Sequence, residues 1–240
     1  EARLHPPYGA TEALPVASNY SDEILGETRW ATERGEGICV GRPVDGMEVR
    51  ILRIDDGPLA AWSDDLLSLP GEVGEIAVRG PVATRSYFTR PEATALAKIS
   101  AAGGTFFHRM GDLGRFDASG RLWFFGRKSQ RVRGENGDLY TIPCEGVFNA
   151  HPKVRRTALV GVPRGRSSDR PVLCVELEPA ARGDDRATLR AELLKLGSAF
   201  KHTRDIDTVL FHDAFPVDIR HNAKIFRETL AVWAARQVGA

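Results

Sequence analysis

Apolar and polar residues alternate along Glu48-Val49-Arg50-Ile51-Leu52-Arg53 and Glu75-Ile76-Ala77-Val78-Arg79, the period of two expected of strands that bury one face. Gly71-Glu72-Val73-Gly74 supplies a turn before the second of them. The period then changes. Pro91 at a first helical turn, followed by Glu92-Ala93-Thr94-Ala95-Leu96-Ala97, predicts a short helix that stops by Gly103-Gly104. Beyond it, Arg115-Phe116-Asp117, the turn Asp117-Ala118-Ser119-Gly120 and Arg121-Leu122-Trp123-Phe124-Phe125 predict a β-hairpin, with Gly120 able to take the positive φ such turns favour.

Residues 126–138 hold three glycines and few apolar side chains, the composition of an exposed connector, and a domain boundary is expected there. The chain beyond it can build a core of its own. Ala158-Leu159-Val160-Gly161-Val162, Val172-Leu173-Cys174-Val175-Glu176-Leu177 and Val209-Leu210-Phe211 read as buried strands. Leu189, Leu193 and Leu196 share one face of a helix opened by Asp184-Asp185 and stopped by Gly197. Ile225, Phe226, Thr229, Leu230 and Trp233 repeat at helical spacing after Asn222, so Pro216 to Lys224 reads as a polar loop opening into a last helix. The expected fold is mixed α+β, with one domain over residues 1–127 and a smaller α+β domain over 128–240.

Composition narrows the partners. Lys and Arg total 33 against 32 Asp and Glu, a net charge of +1, which points to a small molecule rather than nucleic acid or an anionic membrane surface. Cys39, Cys144 and Cys174 are widely separated, odd in number and in no C-x-x-C pair; this argues against a disulfide framework or zinc site and for a reducing, cytoplasmic setting. No apolar run approaches the ~18 residues of a membrane span. The 6 histidines do not pair at metal-ligand spacing.

Four short polar segments carry candidate chemistry. In Tyr8-Gly9-Ala10-Thr11-Glu12 the ring can stack on a base, Gly9 lets backbone approach a ligand, the Thr11 hydroxyl can donate to phosphate, and the Glu12 carboxylate can hold Mg²⁺. Taken alone it reads first as a surface turn before a helix, with Thr11 or Asn19 as cap. In Met110-Gly111-Asp112-Leu113-Gly114 an ionised Asp112 offers two acceptor oxygens to paired ribose hydroxyls, or is simply an Asp in a glycine-flanked turn. The Arg127 fork of Gly126-Arg127 can reach hydroxyls or phosphate. Lys128, Arg131 and Arg133 nearby are not interleaved with aromatics, so a nucleic-acid patch is not expected. Lys224 in isolation is a solvated side chain; as a compact ammonium it also suits charge forming between a carboxylate and an α-phosphate.

Taken in order, Tyr8-Gly-Ala-Thr-Glu12, Gly71-Glu-Val-Gly-Glu-Ile76 with Arg79-Gly80, Gly111-Asp112-Leu113, Gly120 to Arg127 and Asn222-Ala-Lys224 resemble the adenylate-forming superfamily of acyl-CoA synthetases, peptide-synthetase adenylation domains and luciferases. The resemblance spans the chain but covers only the back part of such an enzyme, because the family's upstream Ser/Thr/Gly-rich phosphate loop is not among these residues. It implies the end of a large AMP-binding domain with its β subdomain, then a small domain hinged near Ser129, with ATP and Mg²⁺ as cofactors. By residue, it implies Tyr8 with Gly9 against adenine, Thr11 near phosphate, Glu12 on Mg²⁺, Asp112 and Arg127 on the ribose, and Lys224 bridging carboxylate and α-phosphate. In most relatives the hinge residue is Asp or Lys rather than Ser.

After the hinge, thioester-forming relatives continue with a short Lys-x-x-Gly stretch, whereas this chain has the longer Arg133-Gly-Glu-Asn-Gly-Asp-Leu-Tyr-Thr-Ile-Pro-Cys-Glu145. That departure resembles the β-lactone-forming branch of bacterial long-chain olefin biosynthesis. The resemblance implies a 2-alkyl-3-hydroxy fatty acid as substrate, activated as its adenylate and closed by its own hydroxyl, and assembly with other olefin-biosynthesis enzymes. A long-chain fatty acyl-CoA ligase and a non-catalytic assembly module are the alternatives.

Overall fold

The computed structural model describes residues 3–165, 168–218 and 221–239. The chain divides into two compact units, Glu1–Arg29 with Gly37–Ser129, and Trp30–Glu36 with Gln130–Ala240.

The first unit is built on an eight-stranded antiparallel sheet. Its strands are β1 (Pro7–Ala10), β2 (Ala13–Ser18), β3 (Ile38–Pro43), β4 (Glu48–Leu52), β5 (Gly74–Arg79), β6 (Lys98–Ser100), β7 (Phe106–Phe116) and β8 (Leu122–Arg127). They lie in the order β1-β2-β3-β8-β7-β5-β4, with β6 alongside β7. On β5, Ile76 and Val78 pack with Val16, Val49, Met110 and Leu122 on one face, and Ala77 packs with Leu52, Ile99 and Phe107 on the other. The alternation predicted one buried face; β5 is buried on both, and even Glu75 is only 1% exposed, because cations meet it inside. The helix Pro91–Ala97 stops short of Gly103-Gly104, because Lys98–Ser100 leaves it to pair as β6 with Phe106–His108. The β7–β8 hairpin turns at Gly120, φ +77°.

Residues 126–138 are not a plain connector. β8 runs to Arg127, and Val132–Gly134 (β9) pairs antiparallel with Gly137–Leu139 (β10). Polar strands of three residues leave no apolar period to read.

The core of the second unit is the sheet β11 (Val154–Arg164), β12 (Ser168–Leu177) and β13 (Thr208–Phe211), β12 being antiparallel to β11 and parallel to β13. Successive residues supply opposite faces. Leu159, Leu173 and Val175 pack with Phe148 of the helix Thr141–Asn149 and with Leu189 and Leu193 of the helix Arg186–Ser198. Ala158, Val160, Val172 and Cys174 pack with Leu230 and Ala234 of the helix Arg227–Val238. Helices on both faces explain why these strands are near-continuous apolar runs. Asp185 caps the helix Arg186–Ser198 by accepting from the amides of Ala187 and Thr188. Gly197 does not stop that helix but lies within it, where a Cβ would come 2.7 Å from the Phe148 ring; its glycine serves helix packing.

The last helix does not follow Asn222. It begins at Arg227, and the residues before it form β15 (His221–Ile225), paired with β14 (Val217–Asp218). Helical periodicity in Ile225 to Trp233 is real from Arg227 onward, but short hairpin pairing wins over the preceding residues.

Candidate nucleotide and acyl site

Tyr8, Asp112 and Arg127 come from three strands of the first unit to one place. Asp112 and Arg127 are opposite each other in the β7–β8 register, so their side chains meet by pairing alone. Gly111, at φ +66°, lies where the β5–β7 register slips between Glu75↔Leu113 and Ala77↔Arg109, and such a bulge re-aims the side chain beside it. Arg127 Nη1 is 2.9 Å from Asp112 Oδ1, and Tyr8 donates its hydroxyl to Asp112 Oδ2 at 2.7 Å. The Arg127 contact is an ion pair outside hydrogen-bond geometry, so among the described residues Oδ1 accepts no hydrogen bond. Asp112 is 3% exposed. Burial pushes its pKa up, against the pull of Arg127 and Tyr8. The Tyr8 phenol is raised well above its ordinary value, first by burial and then by the Asp112 charge. A buried carboxylate with an open acceptor, reached by an exposed Arg fork, suits paired hydroxyls.

Thr11 and Glu12 occupy the turn between β1 and β2, not the lead-in to a helix. Asn19 is no cap either; it is buried, donating to the Cys39 carbonyl at 3.1 Å. A Cβ on Gly9 would lie 2.4 Å from the Ala13 carbonyl oxygen, so the hairpin itself requires glycine there. Tyr87 donates to Glu12 Oε1 at 2.8 Å, and the Thr84 amide donates to the Glu12 carbonyl at 2.8 Å. Lys98 donates to the Thr84 carbonyl and lies near the Tyr87 and Phe106 rings. Burial opposes the charge on Glu12, yet the Tyr87 hydrogen bond, its own backbone and the neighbouring His108 and Lys98 hold its pKa below the ordinary value. Burial lowers Lys98 to about 8 although Glu12 opposes this, and burial with the Lys98 charge lowers His108 to about 4. Tyr87 rises to about 12, by burial and its bond to Glu12. Sequence reasoning missed Tyr87, Lys98 and His108, which lie 75 or more residues from Glu12; Tyr87 reaches it from the loop after β5, Lys98 and His108 from the paired strands β6 and β7.

Beside this cluster, Glu75 Oε2 accepts from Arg109 Nη2 at 2.6 Å and from Lys128 Nζ at 2.9 Å, and Lys128 also donates to the Asp55 carbonyl at 2.7 Å. Arg131 pairs with Asp138 at 2.9 Å. Lys128 and Arg131 are thus each paired with an acid of their own unit.

Lys224 belongs to the second unit, on β15, and is exposed. It is a strand residue, not the start of a helix. Residues 219 and 220 of the Pro216–Lys224 segment, and the side chains of His221, Asn222 and Ala223, lie outside the described residues. The structure thus gathers Tyr8, Asp112 and Arg127, sets Glu12 and Thr11 on one turn of the same sheet, and carries Lys224 on a different unit.

Among the described residues no cluster of three or more His, Cys, Asp or Glu could hold a metal, and no helix is long and apolar enough to cross a membrane. Mg²⁺ needs no all-protein cage: one or two carboxylates plus phosphates suffice, and Glu12 fits that role. Cys39, Cys144 and Cys174 are buried and unbridged.

The family described as AMP-binding enzyme matches residues 1–88. The chain is 52% identical over 241 residues to an olefin beta-lactone synthetase of Xanthomonas campestris pv. campestris, covering 99% of this chain and 43% of that protein. It is 54% identical over 243 residues to one of Stenotrophomonas maltophilia, with the same two coverages. Among solved structures, an amide bond synthetase from Marinactinospora thermotolerans superposes with a TM-score of 0.72 at 29% identity, over 94% of this chain and 41% of that one. The chain therefore spans less than half the length of the relatives it matches.

Proposed function

We propose, from the premise that this chain belongs to the AMP-binding, adenylate-forming enzymes, that it is the part of an ATP-dependent β-lactone synthetase that holds the nucleoside and supplies the reacting lysine. The observation that carries the reading is the convergence of Tyr8 and Arg127 on the buried carboxylate of Asp112. In this reading Tyr8 and Gly9 lie along the adenine, Asp112 accepts from the ribose hydroxyls with Arg127 beside it, and Thr11 donates to phosphate. Glu12 would hold Mg²⁺, which neutralises phosphate charge. Lys224 neutralises the charge that develops as a carboxylate oxygen attacks the α-phosphorus and the bond to pyrophosphate breaks. The 128–240 domain carries Lys224 about a hinge near Ser129.

The substrate we infer is a 2-alkyl-3-hydroxy long-chain fatty acid. Once it is adenylated, its β-hydroxyl oxygen attacks the acyl carbon, the bond to AMP breaks and the hydroxyl proton passes to a base. An internal nucleophile has a high effective molarity and needs no CoA. The identity to olefin beta-lactone synthetases over nearly the whole chain supports this branch, as does the long Arg133–Glu145 stretch in place of the thioester-type loop. A fatty acyl-CoA ligase is the second reading. Product analysis of the intact enzyme with ATP and such an acid, with and without CoA, tests the choice. AMP and β-lactone without CoA are expected; a CoA thioester as main product would move the protein to the second reading.

A further inference from the structure

Glu145, on the helix Thr141–Asn149, is 5% exposed. Its Oε1 accepts from the Leu159 amide at 2.8 Å and from Arg227 Nη1 at 2.5 Å, and its Oε2 accepts from Arg227 Nη2 at 2.8 Å. Arg227 Nη1 also donates to the Leu159 carbonyl at 3.4 Å, so the fork grips the helix and β11 together. Such a buried pair is a poor way to gain stability, because apolar side chains of similar volume often do as well. What a bidentate fork adds is direction.

Arg227 opens the last helix three residues after Lys224. The two residues between them are also held: Ile225 pairs with Val217 of β14, and the Phe226 amide donates to the Pro216 carbonyl at 2.9 Å. Three residues span at most ~11 Å even when extended, so a fixed Arg227 leaves the Lys224 backbone little room. We propose that the Glu145–Arg227 pair is a positioning device for Lys224, setting where the strand that bears the ammonium leaves the core. The role is one of positioning, not of contact with the reacting atoms, and the inference rests on the reading of Lys224 as the reacting lysine.

The test measures acid-dependent ATP–pyrophosphate exchange and thermal unfolding in the intact enzyme for Arg227→Lys, Lys224→Ala, both together, and the apolar pair Glu145→Leu with Arg227→Met. Arg227→Lys should lower kcat by about tenfold or more, with the KM for ATP within about twofold of the parent, because misplacement costs rate before affinity. The apolar pair should regain the parent unfolding midpoint but not its kcat. In the Lys224→Ala background, Arg227→Lys should cost nothing further; this arm decides if the apolar pair does not fold. A kcat that follows the unfolding midpoint, an unchanged kcat in Arg227→Lys, or a further tenfold loss in the Lys224→Ala background would each overturn the inference. Full exchange by Lys224→Ala would instead sink the underlying reading of Lys224, so the two failures are distinct.

Discussion

Asp112 and Lys224 are both charged residues on β-strands, yet the first is sealed at 3% exposure between Tyr8 and Arg127 while the second stands exposed on a five-residue strand of another unit. The difference fits what the proposed function asks each group to meet. A nucleoside offers fixed hydroxyls, so its acceptor gains from being held in advance by neighbours on rigid strands. An ammonium that serves a developing charge must reach a group whose geometry changes during reaction, and a compact point charge on a flexible stem suits that. In the proposed function the sheet of the first unit is a binding surface set by register, and the β14–β15 hairpin carries the reacting lysine, with Arg227 proposed to fix its base.

The largest effect is expected at Lys224→Ala, which should lower the adenylation rate by about 10²- to 10³-fold, the range for removing one group that stabilises a transition-state charge; single-turnover kinetics would check it. Next comes the acid limb of stability. Because the folded pKa of His108 is about 4 against an ordinary 6.5, the unfolded chain binds a proton between those values that the folded chain refuses. Stability therefore falls as pH drops from 6.5 to about 4, by about 3 kcal/mol from this buried group. In urea titrations across that range, His108→Gln should flatten the loss; an unchanged slope would assign it elsewhere.

Asp112→Asn should raise the KM for ATP by about 10- to 100-fold, the worth of one charge-assisted hydrogen bond, and its penalty should shrink with 2′- or 3′-deoxy-ATP. The smallest effect belongs to Tyr8→Phe, which keeps the ring and removes the donor to Asp112 Oδ2. A loss of about fivefold in ATP affinity is expected from one hydrogen bond, measurable by calorimetry.

The legible parts of the fold were those with a long period or a forced conformation. β11 and β12 announced themselves as apolar runs because helices cover both their faces. The β7–β8 hairpin was readable from Gly120, where the turn needs positive φ. β15 was not, since His221-Asn222-Ala223-Lys224-Ile225 has no strand period and the helical spacing from Ile225 onward runs into it. The β9–β10 hairpin hid among glycines and charges for the same reason. At the site, Asp112 and Arg127 were recoverable as separate candidates, and only the β7–β8 register makes them a pair. Tyr87 and Lys98 carried no signal toward Glu12, because their sequence neighbours read only as the approach to a helix and its end. Glu75 looked like the solvent face of an amphipathic strand until Arg109 and Lys128 were seen to close over it.

The proposed roles of Asp112 and Lys224 are tested directly by ATP binding calorimetry on the intact enzyme, with Lys224→Ala beside Asp112→Asn. An ATP Kd within about twofold of the parent is expected for Lys224→Ala, and one at least about tenfold weaker for Asp112→Asn. Weakened binding in Lys224→Ala with parent affinity in Asp112→Asn would contradict those roles.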